Sequence, residues 1–138
     1  MGQAVIEVEL IEGSLSAAPV LDAAGGGAAV RFDGVVRPSE GNQPIEGLRY
    51  EAYPPMTQKL LHRLAEDCVA EHGLLALRCR HSVGFVPIHA CSFSLEVAAM
   101  HRAEAIAAVG SFIDRMKQDV PLWKVPVMRD ASVRRTER

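Results

Sequence analysis

The chain has 138 residues, with 15 Lys and Arg against 17 Asp and Glu and 49% hydrophobic residues, the balance of one globular domain over residues 1–138. These figures exclude disorder and collagen-like order, and a formal charge of −2 spread over both signs gives no field to hold nucleic acid or an anionic membrane. No apolar run approaches the roughly 18 residues of a membrane helix. Residues 1–10 carry Glu7 and Glu9 without a cationic leader, and Cys68, Cys79 and Cys91 form no CxxC pair, which together predict a cytoplasmic protein with reduced thiols.

Val5, Ile6, Val8 and Leu10 form a short apolar segment. Residues 14–27, rich in Ala and Gly and ending in Gly25-Gly26-Gly27, read as a mobile loop. Val30, Phe32 and Gly34 then alternate with Arg31 and Asp33, the period of a strand, which stops at Arg37-Pro38. Residues 38–44 read as a polar loop. A second strand holds Ile45, Leu48, Tyr50 and Ala52 and ends before Pro54-Pro55.

From Met56 the period changes to three and four residues through Leu60, Leu61, Leu64, Ala65, Cys68 and Val69, an amphipathic helix closed by Gly73. Cys68 lies on its apolar face as a buried thiol, whereas His62 and His72 lie on its surface. Leu75, Leu77 and Val83, then Phe93, Leu95 and Val97, belong to two strands of a hairpin. Helical spacing returns in Ala105, Ile106, Val109, Phe112, Ile113 and Met116 and ends before Pro121. A short segment at Leu122-Trp123-Lys124 follows, and residues 128–138 form a basic, flexible tail. The predicted class is α+β: a largely antiparallel or mixed sheet with two main helices on one face.

Arg37 stands at a strand end, His101-Arg102 at a helix start, Lys117 in that helix's last turn, and Lys124 in an apolar segment beside Trp123. A helix start attracts anions, so Arg102, unfavourable there against the macrodipole, reads either as the holder of a phosphate-like group or as a solvated surface residue. Lys117 is also accounted for by the helix C-terminus, while the Lys124 ammonium must snorkel or find a partner.

Five blocks resemble the large, catalytic subunit of molybdopterin synthase. They are Phe32-Asp33-Gly34-Val35-Val36-Arg37, Leu48-Arg49-Tyr50-Glu51-Ala52-Tyr53-Pro54-Pro55-Met56, His81-Ser82-Val83-Gly84, His101-Arg102-Ala103-Glu104-Ala105, and the run from Asp114 through Lys117 and Pro121 to Trp123-Lys124. They occur in the family's order over about residues 28–124. The resemblance implies a hammerhead-like α/β fold and conversion of cyclic pyranopterin monophosphate to molybdopterin. Two sulfurs would arrive as the C-terminal thiocarboxylate of a small ubiquitin-like subunit ending in Gly-Gly, with no cofactor or metal of the chain's own. It also implies a homodimer with one small subunit at each end. Lys117 and Lys124 match the family's active-site lysines, and Arg37, His101 and Arg102 match positions that bind substrate.

Thiocarboxylate attack on carbon with loss of oxygen calls for proton donors and charge stabilisation. The expectation is that clustered cations tune one lysine for proton transfer while the other stabilises the developing anion. Tyr50, Glu51 and Tyr53 are read as structural. The chain departs from the family pattern at Pro38-Ser39-Glu40-Gly41-Asn42, at Pro87-Ile88-His89-Ala90, and at Val125-Pro126 after Lys124.

Two other classes stand beside this one. A hairpin turning about Phe85 would set Cys79 against Cys91 and His81 against His89, a zinc-binding module, whereas a turn at residues 87–90 separates the four. A non-catalytic dimeric binding module of the same fold is the other, and retention of both lysines argues against it.

Overall fold

The computed structural model describes residues 3–129, and most of the predicted tail, residues 130–138, lies outside the described residues. The elements are β1 (Val5–Glu12), β2 (Ala28–Val35), β3 (Ser39–Glu40), β4 (Gln43–Ala52), α1 (Met56–His72), β5 (Ala76–Pro87), β6 (Cys91–Ala99), α2 (Arg102–Asp119) and β7 (Leu122–Met128). The α+β class holds, with two additions. The polar loop at 38–44 contains the short strand β3, and the segment at Leu122 continues as β7 to Met128. Pro126 fits within β7 because among the described residues that strand pairs only with β4, so its other edge needs no donor there. No described helix is long and apolar enough to cross a membrane.

The sheet runs β2-β6-β5-β4-β3, with β1 on β5 and β7 on β4. Its pairs are antiparallel except β1 with β5, whose parallel register sets Val5 opposite Ala76 and Glu12 opposite Val83. Strand β5 changes neighbours along its length. Residues up to Val83 pair with β1, and from Gly84 to Pro87 they pair with β4. Gly84 sits at that handover with φ of +79°, a conformation that costs a side-chain-bearing residue of order 1–3 kcal/mol.

Both helices pack into one core. Leu61, Leu64 and Cys68 of α1 and Ala105, Ala108, Val109 and Phe112 of α2 meet Leu77, Cys79, Leu95 and Val97 of the sheet. Alternation on β5 directs Arg78, Arg80 and Ser82 to the opposite face. There the segment expected to be mobile, residues 14–27, is pinned. Leu15 and Leu21 are buried, Arg80 Nη1 donates to the Ser16 carbonyl at 2.9 Å, and Ser82 Oγ donates to the Gly13 carbonyl at 2.6 Å. Arg78 donates to the Pro19 carbonyl and, through Nε at 2.8 Å, to Glu96, whose other oxygen accepts from the Leu21 amide. Two leucines of its own and four polar residues elsewhere in the sequence thus fix a loop whose composition is permissive.

The hairpin turns at residues 88–90, so Cys79 lies opposite Leu95 and His81 opposite Phe93. The four residues of the zinc alternative therefore do not converge. Burial pushes the Cys79 thiol up to about 12 and the Cys68 thiol to about 11, and all three cysteines are unpaired. His81 is buried at the corner of β5, its Nδ1 donating to the Ser82 carbonyl at 2.8 Å. Tyr50 contacts the ring edge-on at 5.0 Å and Phe93 at 5.6 Å. Desolvation holds its pKa below the ordinary imidazole value, partly opposed by the Ser82 hydrogen bond.

Two outcomes follow from these buried polar groups. Glu96→Ala, which strands the nearly buried Arg78 guanidinium, is expected to lower unfolding free energy by about 3 kcal/mol or more in urea titrations; a loss within 0.5 kcal/mol contradicts this account of the loop anchor. For His81 the unfolded chain takes up a proton as pH falls through about 6.5 while the native chain does not, so stability is full above that range and declines below it. The slope is at most about 1.4 kcal/mol per pH unit. His81→Gln should flatten the stability profile between about pH 7 and 5 even if the variant is less stable throughout.

Candidate active site

Three cationic side chains from separate parts of the sequence line one cavity of about 430 Å³. Arg37 follows β2, where the Val36 amide donates to the Ala90 carbonyl at 3.0 Å and the Val36 carbonyl accepts from the His89 amide at 2.7 Å. With Val36 itself buried, the backbone before Arg37 is fixed. Lys117 stands in the last turn of α2. The helix ends at Asp119, Val120 is extended, and Pro121 directs the chain back as β7, which carries Lys124. Lys124 lies opposite Tyr50 in the β4–β7 ladder, and both line the cavity. Leu122, two residues earlier on β7, lines it as well, as strand alternation requires.

The opposite wall is formed at the β5 corner. His81 reaches the cavity, and the Tyr50 hydroxyl is 2.9 Å from Ser92 Oγ, so the polar end of a residue expected only to pack has a defined place in the site. Phe32 and Phe93, with ring centroids 6.1 Å apart and planes inclined at 55°, add apolar lining. One carboxylate enters: Glu40, on β3, with Oε2 3.3 Å from Lys124 Nζ. Among the described residues Arg37 and Lys117 make no ion pair or side-chain hydrogen bond. The cavity therefore presents two uncommitted cations and one paired cation, an arrangement that binds an anion and stabilises charge developing on it.

His101 and Arg102 lie elsewhere. His101 caps α2 in extended conformation, with Nδ1 3.6 Å from Glu104 Oε2, and Arg102 begins the helix. Fifteen residues of helix separate Arg102 from Lys117, about 22 Å along the axis. One copy of the chain thus brings Arg37, Lys117 and Lys124 together and holds His101 and Arg102 at the far end of α2. Glu40 and Ser92 were not singled out from sequence. Glu40 lies in a stretch whose composition signals only a loop, and Ser92 is one of two alternating serines on β6 with no distinguishing pattern.

A family profile described as MoaE protein matches residues 7–119. A protein of Aspergillus niger described as molybdopterin synthase catalytic subunit is 39% identical over 104 residues, covering 75% of this chain and 58% of that protein. The chain spans little more than half the length of such relatives. Among solved structures, the crystal structure of molybdopterin synthase from Staphylococcus aureus matches with a TM-score of 0.75 and 28% identity, covering 95% of both chains. A chain from the complex of subunits 1 and 2 of molybdopterin-converting factor from Helicobacter pylori matches with a TM-score of 0.70 and 25% identity over 88% of this chain and 85% of that one. On its profile, its sequence identity and its fold, this chain belongs to the MoaE family, that of molybdopterin synthase catalytic subunits.

Proposed function

We propose that the chain catalyses the molybdopterin synthase reaction, converting cyclic pyranopterin monophosphate to molybdopterin with sulfur delivered as the thiocarboxylate of a small ubiquitin-like subunit. The observation that carries this reading is the convergence of Arg37, Lys117 and Lys124 on one cavity, within a chain of this family. The substrate's cyclic phosphate and the partner's thiocarboxylate are both anions. In a partly enclosed site they meet cations whose attraction is screened less than at an open surface. Arg37 supplies a planar fork suited to phosphate oxygens. Lys117 and Lys124 stand where charge develops as sulfur adds and oxygen leaves, one able to donate a proton and the other to stabilise the anion.

The small subunit is read as a separate chain, in line with the two-subunit complex of the H. pylori protein. His101 and Arg102, about 22 Å from Lys117, join the same chemistry if a second copy presents the start of its α2 to this cavity. The functional unit is then a homodimer with a small subunit at each end. Unpaired cysteines fit a reducing, cytoplasmic setting. No resident cofactor enters the reading, because the partner carries the sulfur.

The test combines purified protein, thiocarboxylated small subunit and cyclic pyranopterin monophosphate, with molybdopterin measured as its fluorescent oxidation product. The unaltered protein should form product, and Lys117→Ala should lose activity by roughly 100-fold or more, the scale of removing one charge-stabilising donor. Arg37→Ala should instead raise KM for the pterin, by about tenfold for a lost charge-assisted contact. No product despite a confirmed complex with the small subunit would favour the non-catalytic binding module.

A further inference from the structure

Glu40 is the carboxylate among the cavity's cations, and its placement has a local structural cause. Residues 38–44 fold into a hairpin in which Ser39 pairs with Pro44 and Glu40 with Gln43, and the Ile45 amide donates to the Pro38 carbonyl at 3.1 Å. The turn is Gly41-Asn42. Gly41 has φ of +59° and Asn42 is not left-handed, the pattern of a type II′ hairpin with glycine at its first central position. Such a turn follows the twist of its strands, so Glu40 projects from a short ladder and not from a free loop. Its side chain is 23% exposed, against 55% for Lys124.

Lys124 needs such a partner. Its stem has four rotatable carbons on an edge strand, and an ammonium that is half exposed would otherwise sample solvent as readily as the cavity. The β4–β7 register fixes the Cα of Lys124 opposite Tyr50 but leaves the chain beyond Cβ undirected. The Glu40 carboxylate at 3.3 Å supplies that direction.

We propose that Glu40 is a positioning residue for Lys124: the β3–β4 hairpin holds its carboxylate so that the Lys124 ammonium stays within the cavity beside Arg37 and Lys117. Retaining Glu40 also keeps the charge of the site in proportion. Arg37, Lys117, Lys124 and Glu40 sum to two positive charges, matching one cyclic phosphate and one thiocarboxylate. The catalytic part of this inference rests on the reaction proposed above, whereas the contact itself does not.

Two readouts separate them. The sequence contains three lysines, so Lys59 on α1 serves as an internal reference in competitive acylation of the full-length protein followed by mass spectrometry. Glu40→Gln should raise the acylation rate of Lys124 relative to Lys59 by about threefold to fivefold, the range of an exposed ion pair, with Glu40→Asp between it and the unaltered protein. An unchanged Lys124 rate in folded Glu40→Gln protein overturns the proposal whatever the activity. In the sulfur-transfer assay Glu40→Gln should lower kcat by about fivefold with KM for the pterin unchanged, and Glu40→Asp should recover part of it. A lower KM for the thiocarboxylated partner at unchanged kcat would overturn positioning, since Glu40 would then be competing with the incoming anion. A faster Lys124 with no product from any form would keep the contact and remove the reaction.

Discussion

The handover along β5 is the constraint from which the site follows. Up to Val83 the strand belongs to the sheet that carries the helices, and from Gly84 it pairs with β4. Because β4 in turn pairs with β3 and β7, everything placed by those three strands depends on the corner at Gly84. Lys124 and Glu40 arrive by that route. Arg37 and Lys117 arrive by the other, from β2 and α2 on the main sheet. The cavity lies where the two parts of the sheet diverge, and His81, packed between Tyr50 of one part and Phe93 of the other, spans them.

Charge is distributed to suit this geometry. The cations stand in a concavity partly lined by aromatic rings, which raises their effect on an anion over what the same side chains would have on an open surface. On the opposite face of the main sheet, the ionic groups Arg78 and Glu96 serve a structural end, fastening residues 14–27 over the strands. Arg78 and Arg37 are the same residue type and differ in what faces them. Arg78 has a carboxylate and a carbonyl within bonding distance, whereas Arg37 has neither among the described residues.

Much of this was legible in the sequence, and the exceptions have physical reasons. The helices were readable from apolar spacing because each buries one stripe, whereas a shared place for Lys117 and Lys124 was implied only by the family resemblance, since spacing along the chain does not show a common pocket. The parallel pairing of β1 with β5 was not readable, since alternation within a strand says nothing about a partner some 70 residues away. Only Leu122-Trp123-Lys124 of β7 was read as a segment, whereas the strand runs through Pro126 to Met128, which an edge strand tolerates. Glu40 was hidden because two residues on each side of a Gly-Asn turn are too few to show a period. That short hairpin is the element that supplies a partner for Lys124.

In the proposed function one cavity performs the sulfur transfer and is completed by the far end of α2 from a second copy. Mixing Lys117→Ala with Arg102→Ala protein under conditions that allow subunit exchange tests it most directly. Each variant alone removes something from every cavity, whereas a hybrid dimer regenerates one intact cavity. With random pairing, sulfur transfer should return to about a quarter of the unaltered level. Hybrids that form, verified by mass, and show no recovery would contradict it, placing Arg102 outside the site that Lys117 serves.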